Sequence, residues 1–303
     1  MRITQNMMAG VFMRNMHKQT AAMLQRQEQV ASQKRINRPS DDPIGIGRVL
    51  TGRSLLAAID QYAENIAQGK TRIETTDQTL TMAGDLVRQA RRIAEEKSGE
   101  EISAAERELA AGHIKEIYDQ VMQLANSQHA GRYMFGGHEV DRPPFTRDDD
   151  YTASYNGDAG SFRIPIAEQV EVGIDADGRN FFMDATAGGV DIFAELKNLI
   201  DGLEETDLAV GSAAIRAAVD PLQNAEVQIR NKRSELAPKL YRMQATGEHW
   251  ANFKVRVQDA IGRDEDADVV RAALELTQLK TAYETSMAAA AKIIQPSLAD
   301  FLR

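Results

Sequence analysis

Apolar residues along this chain recur at heptad spacing over long stretches, and the recurrence is strongest between residues 55 and 94. Leu55, Ile59, Tyr62, Ile66, Gly69, Ile73, Thr76, Leu80, Ala83, Val87, Ala90 and Ala94 follow an unbroken alternation of four- and three-residue steps. The pattern predicts one helix over 43–97, roughly 80 Å long. Such a helix cannot bury itself in a small globule and needs neighbours along its length. Gly69 and Thr76 are thin or polar seam positions, where a close neighbour or a local bend is expected. Ser98-Gly99 ends this helix, and Ser103 with Glu106 forms a capping box for a second over 103–131, with Ala110, Ile114, Ile117, Val121 and Leu124 as its buried face. A third heptad stretch, 211–262, carries Ile215, Val219, Leu222, Ile229, Leu236, Leu240, Met243, Trp250, Val257 and Ile261. Glu226, Arg233, Gly247 and Lys254 occupy its other seam positions and weaken it. Pro221 is expected in its first turns, and Pro238 should kink or break it near Arg233–Leu236.

Both ends of the chain also read as helices. Residues 1–33 carry a thin stripe of Ala9, Phe12, Met16, Met23 and Val30. Residues 264–303 carry a denser one of Val269, Ala272, Leu276, Leu279, Tyr283, Ala290 and Ile293, continued by Leu298 and Phe301. These stripes form unfinished seams, suited to assembly rather than to an active site. Met7, Met8, Met13, Met16 and Met23 could make an adaptable recognition stripe, which here coincides with packing against other subunits. Between the first helix and the long one, Pro39 and Pro43 force a joint, with Ser40 or Asp41 available as the cap of the next helix. The acidic block Asp264 to Asp268 precedes the last helix and suits its positive N-terminal end.

From 132 to about 190 the helical period is lost. Gly136-Gly137, Pro143-Pro144, Asn156-Gly157, Asp177-Gly178 and Gly188-Gly189 punctuate short alternating runs, 161–167 and 170–174, and Asn-Gly and Asp-Gly read as tight turns. A short helix near 190–204 leads back. The fold class expected is mainly α, a long antiparallel coiled-coil or helical-bundle rod with a small antiparallel β domain inserted at its tip and the terminal helices paired. Three discontinuous parts follow: 1–40 with 264–303 for assembly, 41–131 with 205–263 as the rod, and 132–204 as a β-rich outer domain.

Composition narrows the function. The chain has 303 residues, a formal charge of −9 and no cysteine. The charge disfavours a nucleic-acid surface, and the lack of thiols removes disulfide and thiolate chemistry. No apolar run is long enough to span a membrane, and a surface-lying first helix is disfavoured by its glutamine-rich polar face. Residues 1–14 make a poor signal peptide, so any export is expected to leave this segment in place. Aromatic content is 6%, low for a compact enzyme. His17, His113, His129, His138 and His249 are too dispersed for a metal site. Asp148-Asp149-Asp150 reads as a solvated loop, Asp175 to Gly178 as a hairpin turn, and Gly45-Ile46-Gly47 lacks the rest of a dinucleotide fingerprint. No catalytic, metal or cofactor set emerges, and no cofactor is expected. An enzyme housed in the β insert and a signalling coiled coil are the rival classes; neither has a supporting motif.

Ile36-Asn37-Arg38-Pro39-Ser40-Asp41-Asp42-Pro43 resembles the N-terminal signature of the flagellin superfamily, closer to its hook-associated members than to true flagellins, which have an alanine-rich stretch where Pro43-Ile44-Gly45 stands here. Arg132 to Gly137 resembles the start of the outer domain of the hook–filament junction members, and the C-terminus is similar too, from Asp264–Asp268 through Tyr283-Glu284-Thr285-Ser286 to Lys292–Leu302. The resemblance implies an extracellular structural protein of the bacterial flagellum, exported unfolded by the flagellar type III apparatus. Its implied partners are other copies of itself, the other hook-associated junction protein, flagellin and an export chaperone. Asn37, Pro39, Ser40, Asp41, Asp42 and Pro43 are the family's joint motif. A short flagellin that forms the filament itself is the alternative within the same superfamily.

Overall fold

The computed structural model describes residues 5–99, 101–174, 177–184 and 188–294. Among these, the chain runs α1 (Gln5–Ser32), α2 (Pro43–Lys97), α3 (Ala104–Ala125), β1 (Gln128–His129), β2 (Arg132–Tyr133), β3 (Phe145–Arg147), β4 (Ala153–Tyr155), β5 (Arg163–Ala167), β6 (Val170–Gly173), α4 (Gly178–Phe182), α5 (Ile192–Glu204), α6 (Leu208–Glu265) and α7 (Val269–Ile294). Two compact units are distinct: Met1–Ile59 with Asn252–Arg303, and Asp60–Ala251. Helices α2 and α6 contribute residues to both.

In the second unit the heptad positions of α2 do what their spacing predicts. Ile66, Ile73, Leu80, Ala83, Val87, Ala90 and Ala94 are buried, against Ile114, Ile117 and Val121 of α3 and Ile215, Leu222 and Ile229 of α6 in one core. Ser103 caps α3, with its hydroxyl accepting from the Glu106 amide and the Glu106 carboxylate accepting from the Ser103 amide. The buried Thr76 hydroxyl donates to the Arg72 carbonyl at 3.0 Å, so this polar seam position is satisfied within its own helix.

The charged seam positions of α6 are cross-links rather than weak points. Glu226 accepts from Arg91 at 2.7 Å, and Arg233 donates two hydrogen bonds to Asp77, at 2.8 and 3.1 Å. Helix α6 is continuous through Pro238, so of the kink or break expected there the break does not occur, and it begins early enough that Pro221 lies well inside it. The Pro238 ring is exposed, as is Ser234 one turn before it. Water can therefore satisfy the carbonyl that proline cannot bond, while Leu236 and Met243 stay in the core.

The β region is antiparallel as expected, made of three separate ribbons among the described residues, β1–β2, β3–β4 and β5–β6, and it differs from expectation in two ways. It does not sit at the tip of the bundle, because α3 has 22 residues and covers only about 33 Å, so the chain leaves it part-way back along α2. The bundle end is built instead from the turns around Gly99 and Asp207, where the buried Arg107 donates to Ser212 at 2.6 Å and to the Leu208 carbonyl at 3.0 Å. Finally, neither dipeptide turn makes a hairpin. Asp177 is the N-cap of α4, with its carboxylate accepting from the Arg179 amide at 3.0 Å, and Gly157 lies under the Tyr155 ring.

A two-stranded ribbon cannot bury its own apolar face, and each ribbon leans on something larger. Ile164 of β5 fits over Gly69, which has no room for a Cβ. Trp250 of α6 donates its indole N–H to the Ile166 carbonyl at 2.7 Å, and Asn65 of α2 donates to the Pro165 carbonyl at 2.9 Å. The scarce aromatics are concentrated here: Phe145 contacts Tyr155, Phe182 and Phe193, while Phe135 meets Phe182 edge-on at 5.2 Å. Alanine thus suffices for the helical seam because the large rings fill the insert.

Candidate assembly interface

In the first unit α1 and α7 lie antiparallel. Gln19 faces Ser286, Arg26 pairs with Glu275 at 2.8 Å, and a single bridge joins Lys34 to Asp266. Of the predicted seam residues, Met16 and Ala290 are buried, as is Ala272. Phe12, Met23, Val30, Leu276, Leu279 and Tyr283 are half-buried, and Val269 is exposed at the rim. Ile293 falls in the last turn of α7, and Leu298 and Phe301 lie outside the described residues. Two helices alone leave much of each other's surface open, and the open part includes large apolar side chains. On α1, Met7 is 62% exposed and Leu24 57%. On α7, Val270 is 82% exposed and Leu274 60%.

The α7 residues have a pattern that sequence reading missed. Val270, Leu274, Thr277, Thr281 and Ala288 share the helix face turned away from α1, and all are exposed. One charge interrupts this face: Glu284, exposed between Thr281 and Ala288. Thr277 donates its hydroxyl to the Ala273 carbonyl and Thr281 to the Thr277 carbonyl, at 2.9 and 3.1 Å. The threonine hydroxyls are therefore already satisfied, and a neighbour can cover the stripe without leaving buried donors unpaired. The signal was readable as a second period on the same helix, but the denser seam at Ala272, Leu276, Leu279 and Tyr283 masks it.

The joint motif folds into a charge knot between the chain's two ends. Asp42, not Ser40 or Asp41, caps α2, accepting from the Gly45 amide at 2.8 Å, because Pro43 takes the first helical position and leaves the cap to the residue before it. Asp41 closes the turn instead, accepting from the amides of Asn37 and Arg38 at 3.0 and 2.9 Å. Asn37 donates its side-chain amide to the Lys34 carbonyl; Pro39 and Ser40 are exposed on the turn. Ile36 is buried beneath it, and Gly45 has no room for a side chain: a Cβ would meet the Asp42 Cγ and the Ile36 Cδ1 each at 2.8 Å.

Across the knot, Arg35 spans Asp42, at 3.1 Å, and the Asp264 carbonyl, at 2.6 Å. Arg48 clasps the Asp264 carboxylate with two bonds of 2.9 Å. Lys34 and Arg53 both reach the nearly buried Glu265 carboxylate, at 2.6 Å each. Backbone bonds from Arg35 to the Glu265 carbonyl and from Ala267 to the Gln33 carbonyl complete the tie. Of the acidic block, Asp268 serves the start of α7 as expected, accepting from the Arg271 amide, whereas Asp264 and Glu265 serve the knot.

The Gly45 amide and the Arg35 guanidinium hold the Asp42 carboxyl below its ordinary value. The Arg48 hydrogen bonds do the same for Asp264. For Glu265, burial pushes upward, but the bonds and charges of Lys34 and Arg53 together outweigh it and the net direction is down.

The site is a pair of terminal helices locked by a charge knot, with an outer face on α7 that is apolar or hydroxyl-bearing except at Glu284. Residues 3–139 match the family described as the bacterial flagellin N-terminal helical region. Over this stretch the chain is similar to flagellins. It is 24% identical to flagellar hook-associated protein 3 of Escherichia coli (strain K12), over 94% of this chain and 95% of that protein. It is also 24% identical to flagellin FlaB1 of Treponema pallidum (strain Nichols), over 91% of each. The solved structure of a flagellar hook-associated protein from Vibrio parahaemolyticus superposes with a TM-score of 0.69 at 18% identity, covering 75% of this chain and all of that one, and shows the same fold.

Proposed function

We propose that this protein is a structural component of the bacterial flagellum that joins the hook to the flagellin filament by helical packing of its subunits. The observation that carries this reading is the similarity to hook-associated protein 3 along nearly the whole length of both chains. On this reading 1–40 with 264–303 is the assembly part, and 41–131 with 205–263 and the insert 132–204 surround it. Phe12, Met16, Met23, Val30, Leu276, Leu279, Tyr283 and Ala290 hold α1 to α7. Val270, Leu274, Thr277 and Thr281 then meet neighbouring subunits. Those neighbours are further copies of this chain, the other hook-associated junction protein on one side and flagellin on the other. The protein acts outside the cell, reaches its place through the flagellar export channel with the help of a chaperone, and catalyses nothing.

Deletion of the gene tests this. Electron microscopy should show hooks without filaments, with flagellin lost to the medium. Normal filaments in the deletion strain would overturn the reading. Long filaments formed by the purified protein alone would favour a filament-forming flagellin instead.

A further inference from the structure

We infer that a basic groove on the second unit receives the acidic β3–β4 loop of a second copy of this chain. The groove, about 820 Å³, lies between α2 and the β1–β2 and β5–β6 ribbons. Its charged lining is Arg72, Arg132 and Arg163 against the single carboxylate of Glu64, which already accepts from the Gln68 side chain at 2.8 Å. Arg132 and Arg163 are exposed and have no ion-pair partner among the described residues. In a chain of net charge −9, where arginines such as Arg91 and Arg233 are held by Glu226 and Asp77, two neighbouring exposed arginines without an ion pair, Arg132 and Arg163, mark a place for an anionic partner.

The same unit supplies a matching loop. Asp148, Asp149 and Asp150 are exposed between β3 and β4. Asp148 is spent on the loop itself, accepting from the amides of Asp150 and Thr152 at 3.1 and 2.8 Å. This holds the turn in a fixed shape, with Tyr151 in the left-handed region at φ 59°, and leaves Asp149 and Asp150 without an ion pair among the described residues. Groove and loop are built on different elements, so one copy's loop entering the next copy's groove is a heterologous contact. Heterologous contacts propagate into rings and helices instead of closing into dimers. The inference rests on the assembly reading above and adds a second, electrostatic contact outside the terminal helices.

The test uses the full-length protein in three charge variants, R132E/R163E, D149R/D150R and the four together, with V270D/L274D as a separate control on the assembly reading. Circular dichroism establishes that each is folded, and sedimentation measures the concentration at which copies associate, at low and high salt. Each pair of reversals should raise that concentration about tenfold, and the four together should restore it to within about threefold of the unaltered chain. Salt should weaken association of the unaltered chain. No effect of R132E/R163E would overturn the inference; so would a loss that D149R/D150R fails to restore, which would give the groove to a different acidic partner. If V270D/L274D blocks association while the charge reversals do not, the groove contact alone fails. If V270D/L274D associates normally, the assembly reading fails.

Discussion

At Gly45 three demands meet in one residue: an amide for the Asp42 carboxylate, a place in the first turn of α2, and no side chain above Ile36. In the Gly45→Ala variant either the Asp42 carboxylate or Ile36 must give way. Losing the cap costs about 1–2 kcal/mol, to be read as a lower thermal midpoint with protection lost first around residues 33–45 in hydrogen exchange. The knot's carboxylates give a second expectation. Asp42, Asp264 and Glu265 are all held below their ordinary values in the folded chain. Their stabilisation is therefore full above the ordinary carboxylate range, about pH 4, and is lost as pH falls through the depressed folded-state values. Acid titration followed by hydrogen exchange should loosen the 33–53 and 262–268 segments before the core of the second unit, and the D264N/E265Q variant should flatten that dependence. Acid loss of the second unit's core ahead of these segments would refute the assignment. Little of this was legible in the sequence: the motif showed a joint, but nothing in its spacing brings Arg48 and Arg53 to the opposite end of the chain.

Among the elements, the helices were legible and the ribbons were not, for a physical reason. A heptad seam repeats one local rule, so α2 emerges with the bounds its period predicts, Pro43–Lys97. The ribbons depend on what they lean against: Gly69 admits Ile164, and Trp250 holds Ile166. Asp177-Gly178 reads as a hairpin turn because an Asp that starts a turn and an Asp that caps a helix use the same side-chain hydrogen bond. Pro238 leaves α6 unbroken, which was not legible because the sequence does not say which face the ring takes. With its ring exposed and α6 continuous, Pro238 remains a local cost that the flanking core residues Leu236 and Met243 offset. Pro238→Ala should raise stability by about 1–3 kcal/mol, measured by chemical denaturation with no change in helical content. A drop in stability would mean that the proline is needed for the path of α6.

For the molecule as a whole, the candidate site was half legible. The seam that joins α1 to α7 follows from the stripes at both ends. The face that α7 leaves uncovered does not, because threonine and alanine carry little hydrophobic signal until the structure shows the threonine hydroxyls bonded back to their own helix. That face links the fold to its use, since a subunit with exposed Val270 and Leu274 facing solvent is stabilised by a neighbour that covers them. Covering it also explains why the terminal helices can be modest on their own: the ordering entropy of the pair is offset once neighbours pack on it. The most direct measurement is amide hydrogen exchange of residues 269–291 in free protein and in protein assembled at the end of the hook. Protection across Val270–Ala288 should rise by at least about a hundredfold on assembly, with little change in the core around Ile114 and Leu222. Equal protection in both states would contradict the claim that neighbouring subunits complete this surface.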